Sequence, residues 1–327
     1  MTSSRAARPE ASRLRHRPLH RADAAECLNL LPPWLGFDPA QLPAVQALWE
    51  RFADDPAVVS GVQEDLALPA GERIQSWGAT VLMPDGWLDA FAPEGRFDPA
   101  RAACACRDTY DALLDGSLQL PGEREIARSN AGAGVVFFAL HYRQRAHDMS
   151  QPYAVRVLHT AHEAFRVVHS GYRVRAFFQQ ALLSDEPWLA GAGLRRYTDP
   201  LPGSAPQRQT VLYGTTREDA ALMLPGSSVR HIFEHQPPRF RFSAAQRRLL
   251  ALALHDEADE HLMQRLDVSV HGLKKLWRGI YERIEDLEPE FFGESASADD
   301  GKRGPEKRRQ VLAHVRQRPE ELRPWLS

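Results

Sequence analysis

The chain has 327 residues, a length that accommodates about two ordinary domains. Its composition, with 43% hydrophobic, 26% charged and 9% aromatic residues, is typical of folded globular protein and argues against wholesale disorder. The formal net charge of -2 excludes a cationic field over the whole molecule. Any nucleic-acid site must therefore be a local feature.

The cysteine content and the hydropathy pattern indicate the cellular compartment of the protein. Cys27, Cys104 and Cys106 are too few for a disulfide framework, which favours a reducing interior. No second pair accompanies Cys104 and Cys106, so we favour a structural role and predict no metal or cofactor. The best apolar run, Val135–Leu140, is strand-sized, and the arginine-rich N-terminus lacks the apolar core of a secretory signal. We therefore expect a cytoplasmic protein with no membrane partner.

Strand and helix patterns alternate in the N-terminal part, which predicts a mixed α/β domain over residues 14–236 after a disordered arm at 1–13. Its predicted elements are a strand at Arg15–Leu19, a helix capped by Asp23, strands at Ile74–Met83 and Val135–Tyr142, a long helix at Tyr153–Leu183, a return strand after Gly193 and a helix capped at Thr215 or Thr216. On the long helix, Phe165 and Tyr172 are predicted on the core side and His169 on the polar side.

Several polar groups of this domain are candidate ligands. His159, His162, Glu163 and His169 have spacings that could converge on a metal, but their order matches no zinc-protease motif, and a polar helix face is the favoured interpretation. Asp85, Asp89, His141 and Tyr142 lie at predicted strand ends, where nothing selects an acid and a base. The glycine-containing segment Ala131–Gly134 is interpreted as a turn. We assign no catalytic residue.

The C-terminal part is predicted to be helical. The proline-containing segment His235–Phe242 is interpreted as a linker, placing a second domain at 237–288. A first helix at Ser243–His255 and a second at Ala258–Leu266 are followed by a turn at Asp267 and Val268, and Ser269 caps a third helix. Leu273, Trp277, Ile280 and Ile284 recur at helical spacing and predict its buried side. Residues 289–327 are predicted to form a polar tether, Gly293–Pro305, and a basic helix.

The opposite side of the third helix is basic. It carries the predicted DNA-binding residues Ser269, His271, Gly272, Lys274, Lys275 and Arg278. A helix of this width enters the major groove of double-stranded DNA, where lysine and arginine contact phosphates or guanine acceptors. A three-helix packing module with a solvated charged face is the alternative.

This segment resembles the LuxR-type, or GerE-like, DNA-binding domains. Phe242-Ser243, Leu249-Leu250, Leu262, Leu266, Val268-Ser269, Leu273-Lys274 and Ile280-Tyr281 match that pattern. Gln246, Arg248 and Asp256 depart from it, and Gly272 replaces a threonine. The resemblance implies a non-enzymatic transcription regulator, whose first domain senses a ligand or partner. We also predict a homodimer on a two-part site, because one module of this size contacts few base pairs.

A second resemblance concerns the opening HRPLHRADAAECLNLL. Arg17-Pro18 and Asp23-Ala24 match the first strand and helix of GNAT-type N-acetyltransferases. These enzymes hold the pyrophosphate of acetyl-CoA on a glycine-rich loop at a helix start. This chain instead reads RQRAHDMSQP after its Val135–Tyr142 strand, so the resemblance implies a degenerate site. The alternative function is therefore an acyl-CoA-dependent N-acyltransferase-like enzyme whose C-terminal helices bind a protein partner.

Overall fold

The computed structural model describes residues 13–203, 205, 209–255, 258–293 and 300–326, and of residues 300–303 only the backbone. The predicted arm at 1–13 lies almost entirely outside these residues. Seven strands form one sheet: β1 Leu14–Pro18, β2 Val58–Asp65, β3 Ile74–Met83, β4 Val135–Gln144, β5 Val174–Leu182, β6 Arg195–Arg196 and β7 Thr210–Thr216. The predicted mixed α/β class is confirmed.

Thirteen α-helices accompany the sheet within the described residues. They are α1 Ala24–Cys27, α2 Leu42–Phe52, α3 Trp87–Phe91, α4 Pro99–Asp115, α5 Glu123–Ala131, α6 Pro152–His169, α7 Glu186–Ala192, α8 Arg217–Ala221, α9 Ser228–Phe233, α10 Ala244–Ala253, α11 Asp259–Leu266, α12 Val270–Leu287 and α13 Asp300–Gln317. Helices α1 to α9 belong to the sheet unit, and α10 to α13 form a helical unit after it.

The strand order is β1-β2-β3-β4-β5-β7-β6. Only the neighbours β4 and β5 run parallel in this sheet, and helix α6 makes the crossover between them. Helices α1, α2 and α4 cover one face, and α5, α6 and α9 cover the other. The sheet is therefore buried on both sides, with an apolar core in each layer.

The prediction of one long helix over Tyr153–Leu183 is wrong. Helix α6 ends at His169, because Ser170 is extended and Gly171 has a φ of 84°. The chain then enters β5, whose valine and phenylalanines favour a strand that is buried on both faces. His169, predicted on the polar side, is 4% exposed, and Tyr172 lies outside the helix.

The three predicted helices of the C-terminal part are confirmed as α10, α11 and α12. The Ser243 side chain accepts a hydrogen bond from the Gln246 amide, and the Ser269 side chain accepts one from the Gly272 amide. Asp267 adopts the left-handed conformation that ends α11. The predicted basic helix begins at Asp300, so part of the predicted tether is helical, and 294–299 lie outside the described residues.

The segment predicted as a linker belongs to the helical core. Phe240 and Phe242 are buried among α10, α12 and α13. The Glu321 carboxylate accepts hydrogen bonds from the amides of Arg239 and Phe240 at 2.8 and 3.0 Å. The irregular backbone of this segment is thereby satisfied without secondary structure. The domain boundary placed here remains a prediction.

Candidate functional site

The parallel strands β4 and β5 separate along their length. Their register runs from Val135 with Val174 to Ala139 with Gln179 and then ends. Beyond it, β4 continues to Gln144 paired with β3, and β5 continues to Leu182 paired with β7. The carboxyl ends of β4 and β5 therefore enclose an opening in the sheet, a place where α/β proteins commonly bind ligands.

A β-bulge lies at the start of this opening. Ala79 pairs with His141 whereas Thr80 pairs with Ala139, so Leu140 is an extra residue in β4. A bulge changes the face to which the following side chains point. His141 consequently joins Phe138 on the α4 side of the sheet, with its ring 4.4 Å from the Trp77 ring.

The His141 side chain is part of a buried chain of hydrogen bonds. The Trp49 indole donates to the Tyr110 hydroxyl at 3.2 Å, and that hydroxyl lies 2.9 Å from Nδ1 of His141. Burial, with a further effect of Arg143, lowers the pKa of His141 to about 3, so the imidazole is neutral. Because it is sealed from solvent, we assign His141 to the core rather than to chemistry.

The main chain of β4 faces the opening at alternate residues. The Arg145 amide donates to the Gln75 carbonyl of the β3 side at 2.8 Å, which fixes the alternation of the antiparallel ladder. By that alternation, the amides of Tyr142 and Gln144 point away from β3 and into the opening. Two main-chain donors thus line its edge.

Side chains fix both edges of the opening. The Tyr142 hydroxyl donates to Oε1 of Gln144 at 2.8 Å, and Nε2 of Gln144 donates to the Ala154 carbonyl in the first turn of α6 at 3.2 Å. On the other edge, Gln180 accepts from the Cys106 amide at 2.7 Å and donates to the Thr210 hydroxyl at 2.9 Å. Hydrogen-bonded side chains therefore lie on both strands that border the opening.

The loop between β4 and α6 does not fit a pyrophosphate. It contains no glycine, and the Asp148 carboxylate accepts hydrogen bonds from the amide and hydroxyl of Ser150 at 3.0 and 2.6 Å. A carboxylate thus lies beside the start of α6, where an anionic ligand would gain from the helix dipole. The implied acetyl-CoA site is absent in its usual form.

Two titratable groups lie after the ends of the separating strands. His147 follows β4 and Asp185 follows β5, and they are close enough to interact electrostatically. Desolvation and Arg143 lower the pKa of His147, which keeps the imidazole neutral near pH 7. Desolvation raises the pKa of Asp185, and His147 opposes that shift. Sequence analysis missed this pair, since no motif connects the two residues.

The residues that carry the GNAT resemblance have a structural role. The Arg17 guanidinium donates to both carboxylate oxygens of Asp23 at 2.6 and 2.9 Å and contacts Glu64 at 3.1 Å. Asp23 also accepts from the His20 amide at 2.7 Å. The motif therefore ties β1 to the start of α1 and to β2.

The other candidates of the sheet unit lie apart from the opening. His159 pairs with Glu163 on the surface of α6 at 3.2 Å, and His169 is buried. Asp85 and Asp89 lie at the opposite end of the sheet, near the start of β5. No group of three metal-ligating side chains occurs among the described residues. None of the described helices combines the length and apolarity needed to cross a bilayer.

The predicted DNA-binding residues share one surface of the helical unit. Ser269, His271, Lys274, Lys275 and Arg278 are exposed and Gly272 is half-buried, while Leu273, Trp277, Ile280 and Ile284 are buried. The Lys274, Lys275 and Arg278 side chains form no ion pair with any other described residue. Their role in DNA binding stays a prediction.

Comparison with known proteins gives a fold likeness alone. No protein-family model matches the chain, and no curated protein matches it. Among solved structures, the N-acyl amino acid synthase FeeM from uncultured soil microbes is 7% identical with a TM-score of 0.37, covering 65% of this chain and 96% of that one. A protein assigned to the GNAT acetyltransferases, from Desulfovibrio desulfuricans, is 9% identical with a TM-score of 0.34, covering 63% and 99%.

The spermidine/spermine N-acetyltransferase SpeG from Vibrio cholerae is 11% identical with a TM-score of 0.33, covering 62% of this chain and 92% of that one. The sheet unit has a GNAT-like fold, and the comparisons give no support to the LuxR-type resemblance. The expectation of a non-enzymatic protein is contradicted, since these similar structures are of N-acyltransferases. At such TM-scores they carry no detail of activity.

Proposed function

We propose that the sheet unit transfers an acyl group to an amine in the opening between β4 and β5. The observation that carries this proposal is the separation of the two strands beyond Ala139 and Gln179, with the amides of Tyr142 and Gln144 directed into the gap. Such amides stabilise the negative oxygen that develops when a nucleophile attacks a carbonyl.

In the proposed reaction, the amine nitrogen attacks the carbonyl carbon of an acyl thioester, the carbon–sulfur bond breaks, and the thiol leaves with a proton. Neutral His147 accepts the proton of the attacking amine and delivers it to the leaving sulfur, and Asp185 stabilises the imidazolium between these two transfers. The acyl donor is anchored differently from acetyl-CoA in the GNAT enzymes, because Asp148 lies at the start of α6.

Thiol release tests this proposal. Purified full-length protein is incubated with acetyl-CoA or a long-chain acyl-CoA and with a pool of amino acids and polyamines, and the acylated amine is identified by mass spectrometry. We expect amine-dependent release, reduced by about 100-fold or more in His147→Gln. His159→Gln, which changes an exposed histidine of α6, is the matched control. Absence of release with every donor, or equal rates in both variants, contradicts the proposal.

A second candidate function is duplex DNA binding by the helical unit. It is favoured by the helix-turn-helix order of α11 and α12 and by the exposed, unpaired Lys274, Lys275 and Arg278 on α12. Val270, 57% exposed at the start of α12, adds an apolar group of the kind that contacts thymine methyls. Under this proposal, a dimer would occupy half-sites about 10 base pairs apart.

Salt-dependent binding to a random-sequence duplex tests the second candidate. The double variant Lys274→Ala with Lys275→Ala should bind DNA more weakly. The slope of the logarithm of the binding constant against the logarithm of the salt concentration should fall by about one for each lost phosphate contact. Arg124→Ala with Arg166→Ala removes the same charge from exposed positions of the sheet unit and should bind as the parent does. If all three proteins bind equally at two salt concentrations, the basic side of α12 does not contact the DNA. Sedimentation of the protein at micromolar concentration tests the dimer, and a monomer alone contradicts it.

A further inference from the structure

A cavity of about 350 Å3 lies at the end of the sheet opposite to the β4/β5 opening. It is bounded by the end of β3, the turn after α5 and the first residues of β4 and β5. Met83, Leu88 and Val136 give it an apolar wall, and Arg128 and Arg175 are the cations on its lining. Its volume falls within the range of small-molecule sites.

The cations of this cavity are incompletely paired. The Arg128 side chain is exposed and forms no hydrogen bond or ion pair with any other described residue. Arg175 contacts Asp89 at 2.9 Å, at the surface. The lining carboxylate Asp85 accepts a hydrogen bond from the Ser129 hydroxyl at 2.8 Å. The two guanidinium groups therefore retain donors for an anion.

Two further arginines stand behind the cavity wall. The Arg217 guanidinium donates to the carbonyls of Ala133 and Val174 at 3.1 and 2.7 Å. Its pKa is lowered chiefly by desolvation and further by the nearby charges of Arg173 and Arg175, while Glu218 raises it. Three arginines therefore lie within electrostatic reach of one another at this end of the sheet.

The turn Ala131–Gly134 forms the part of the wall that lies against these arginines. Gly134 has a φ of 103°, and a Cβ placed on it would lie 2.3 Å from Nη2 of Arg217 and 2.4 Å from the Arg173 carbonyl oxygen. Only glycine allows the backbone to pass this close. The turn thus brings the lining of the cavity next to Arg173 and Arg217.

We propose that this cavity binds a small organic anion. Its phosphate or carboxylate head contacts Arg128 and Arg175, and its apolar body lies on Met83, Leu88 and Val136. The site is separate from the β4/β5 opening and does not depend on acyl transfer.

Calorimetry with three probes tests the proposal: phenyl phosphate, benzoate and inorganic phosphate. We expect phenyl phosphate or benzoate to bind more tightly than inorganic phosphate, and the better of the two identifies the head group. Arg128→Gln should raise the Kd of that probe by about tenfold or more. Arg124→Gln, one turn earlier on α5 and outside the cavity, should leave the Kd unchanged.

Thermal unfolding checks that both variants remain folded. No binding of any probe at millimolar concentration, or the same Kd in the parent and both variants, overturns the proposal. Preference for inorganic phosphate over both aromatic probes also overturns it, because the apolar wall would then be unused. Since no acyl donor is present in these titrations, their failure is distinct from failure of the proposed acyl transfer.

Discussion

The sheet unit and the helical unit treat buried polar groups differently. The sheet unit buries many, including Gln63, Glu64, His141 and Gln180, whereas the buried polar side chains of the described helical unit are Glu320 and Glu321. A helix satisfies its backbone within itself, so a helical core can be almost entirely apolar. Where two strands separate, their main-chain amides and carbonyls lose their partners in the sheet. Polar side chains then have to supply hydrogen bonds in that region.

This difference indicates where a binding or catalytic site can lie in each unit. In the sheet unit, polar side chains fix the edges of the β4/β5 opening and leave main-chain amides directed into it. In the helical unit, most polar side chains lie on the surface. The basic side chains of Lys274, Lys275 and Arg278 lie on one side of α12. Substitutions and acid should therefore affect the two units to different extents.

The largest effect should come from truncating one core tryptophan in each unit. Trp77 is 0% exposed beneath the sheet, and Trp277 is 7% exposed on α12, with the Arg308 guanidinium 4.8 Å from its ring. Each of Trp77→Ala and Trp277→Ala should lower the free energy of unfolding by about 3 to 5 kcal/mol. Urea denaturation followed by circular dichroism measures both. A loss below about 1 kcal/mol, which is typical of a surface substitution, would show that the truncated side chain is not part of a core.

Acid should destabilise the sheet unit more than the helical unit. The pKa of both His141 and His169 is lowered to about 3, chiefly by burial, from 6.5. Between these pH values the unfolded chain binds more protons, so the free energy of unfolding decreases as the pH falls from 6.5. Each histidine should contribute about 1.4 kcal/mol per pH unit. Denaturation at pH 7 and pH 5 measures the loss, and His169→Phe should reduce it; an unchanged loss contradicts the assignment.

A moderate effect should come from the contact between the units. Arg323 donates to the carbonyls of Ser170 and Val168 at 2.9 and 3.0 Å, and so satisfies the end of α6 from the C-terminal segment. Arg323→Ala should cost about 1 to 3 kcal/mol. Arg124→Ala, which changes an exposed arginine of α5, serves for comparison. Hydrogen exchange should show faster opening of the last turn of α6 in Arg323→Ala alone.

The smallest effect on stability should come from the basic face of α12. Lys274→Ala with Lys275→Ala removes exposed side chains without ion pairs, so the free energy of unfolding should change by no more than about 0.5 kcal/mol. Thermal unfolding checks this. A larger loss would mean that these lysines stabilise the helical unit, which would weaken any assignment of them to DNA.

The sequence by itself determined the helices of the C-terminal part. The spacing of Leu273, Trp277, Ile280 and Ile284 predicts the buried side of α12, and the caps Ser243 and Ser269 predict where two helices begin. The buried side and the start of a helix depend on residues that are close together in the sequence. The 3.6-residue spacing of apolar residues therefore predicts the buried side directly. The strands at Ile74–Met83 and Val135–Tyr142 were predictable from short apolar runs bounded by turn residues.

Tertiary structure alone decided the end of α6 and the geometry of both candidate sites of the sheet unit. The Val174–Leu182 segment has the apolar content of a buried helix, and only its pairing with β4 and β7 makes it a strand. The bulge at Leu140 depends on the register with β3, which no local pattern encodes. His147 and Asp185 lie near each other at one end of the sheet, and Arg128 and Arg175 line one cavity at the other end, because a parallel crossover brings residues distant in sequence together.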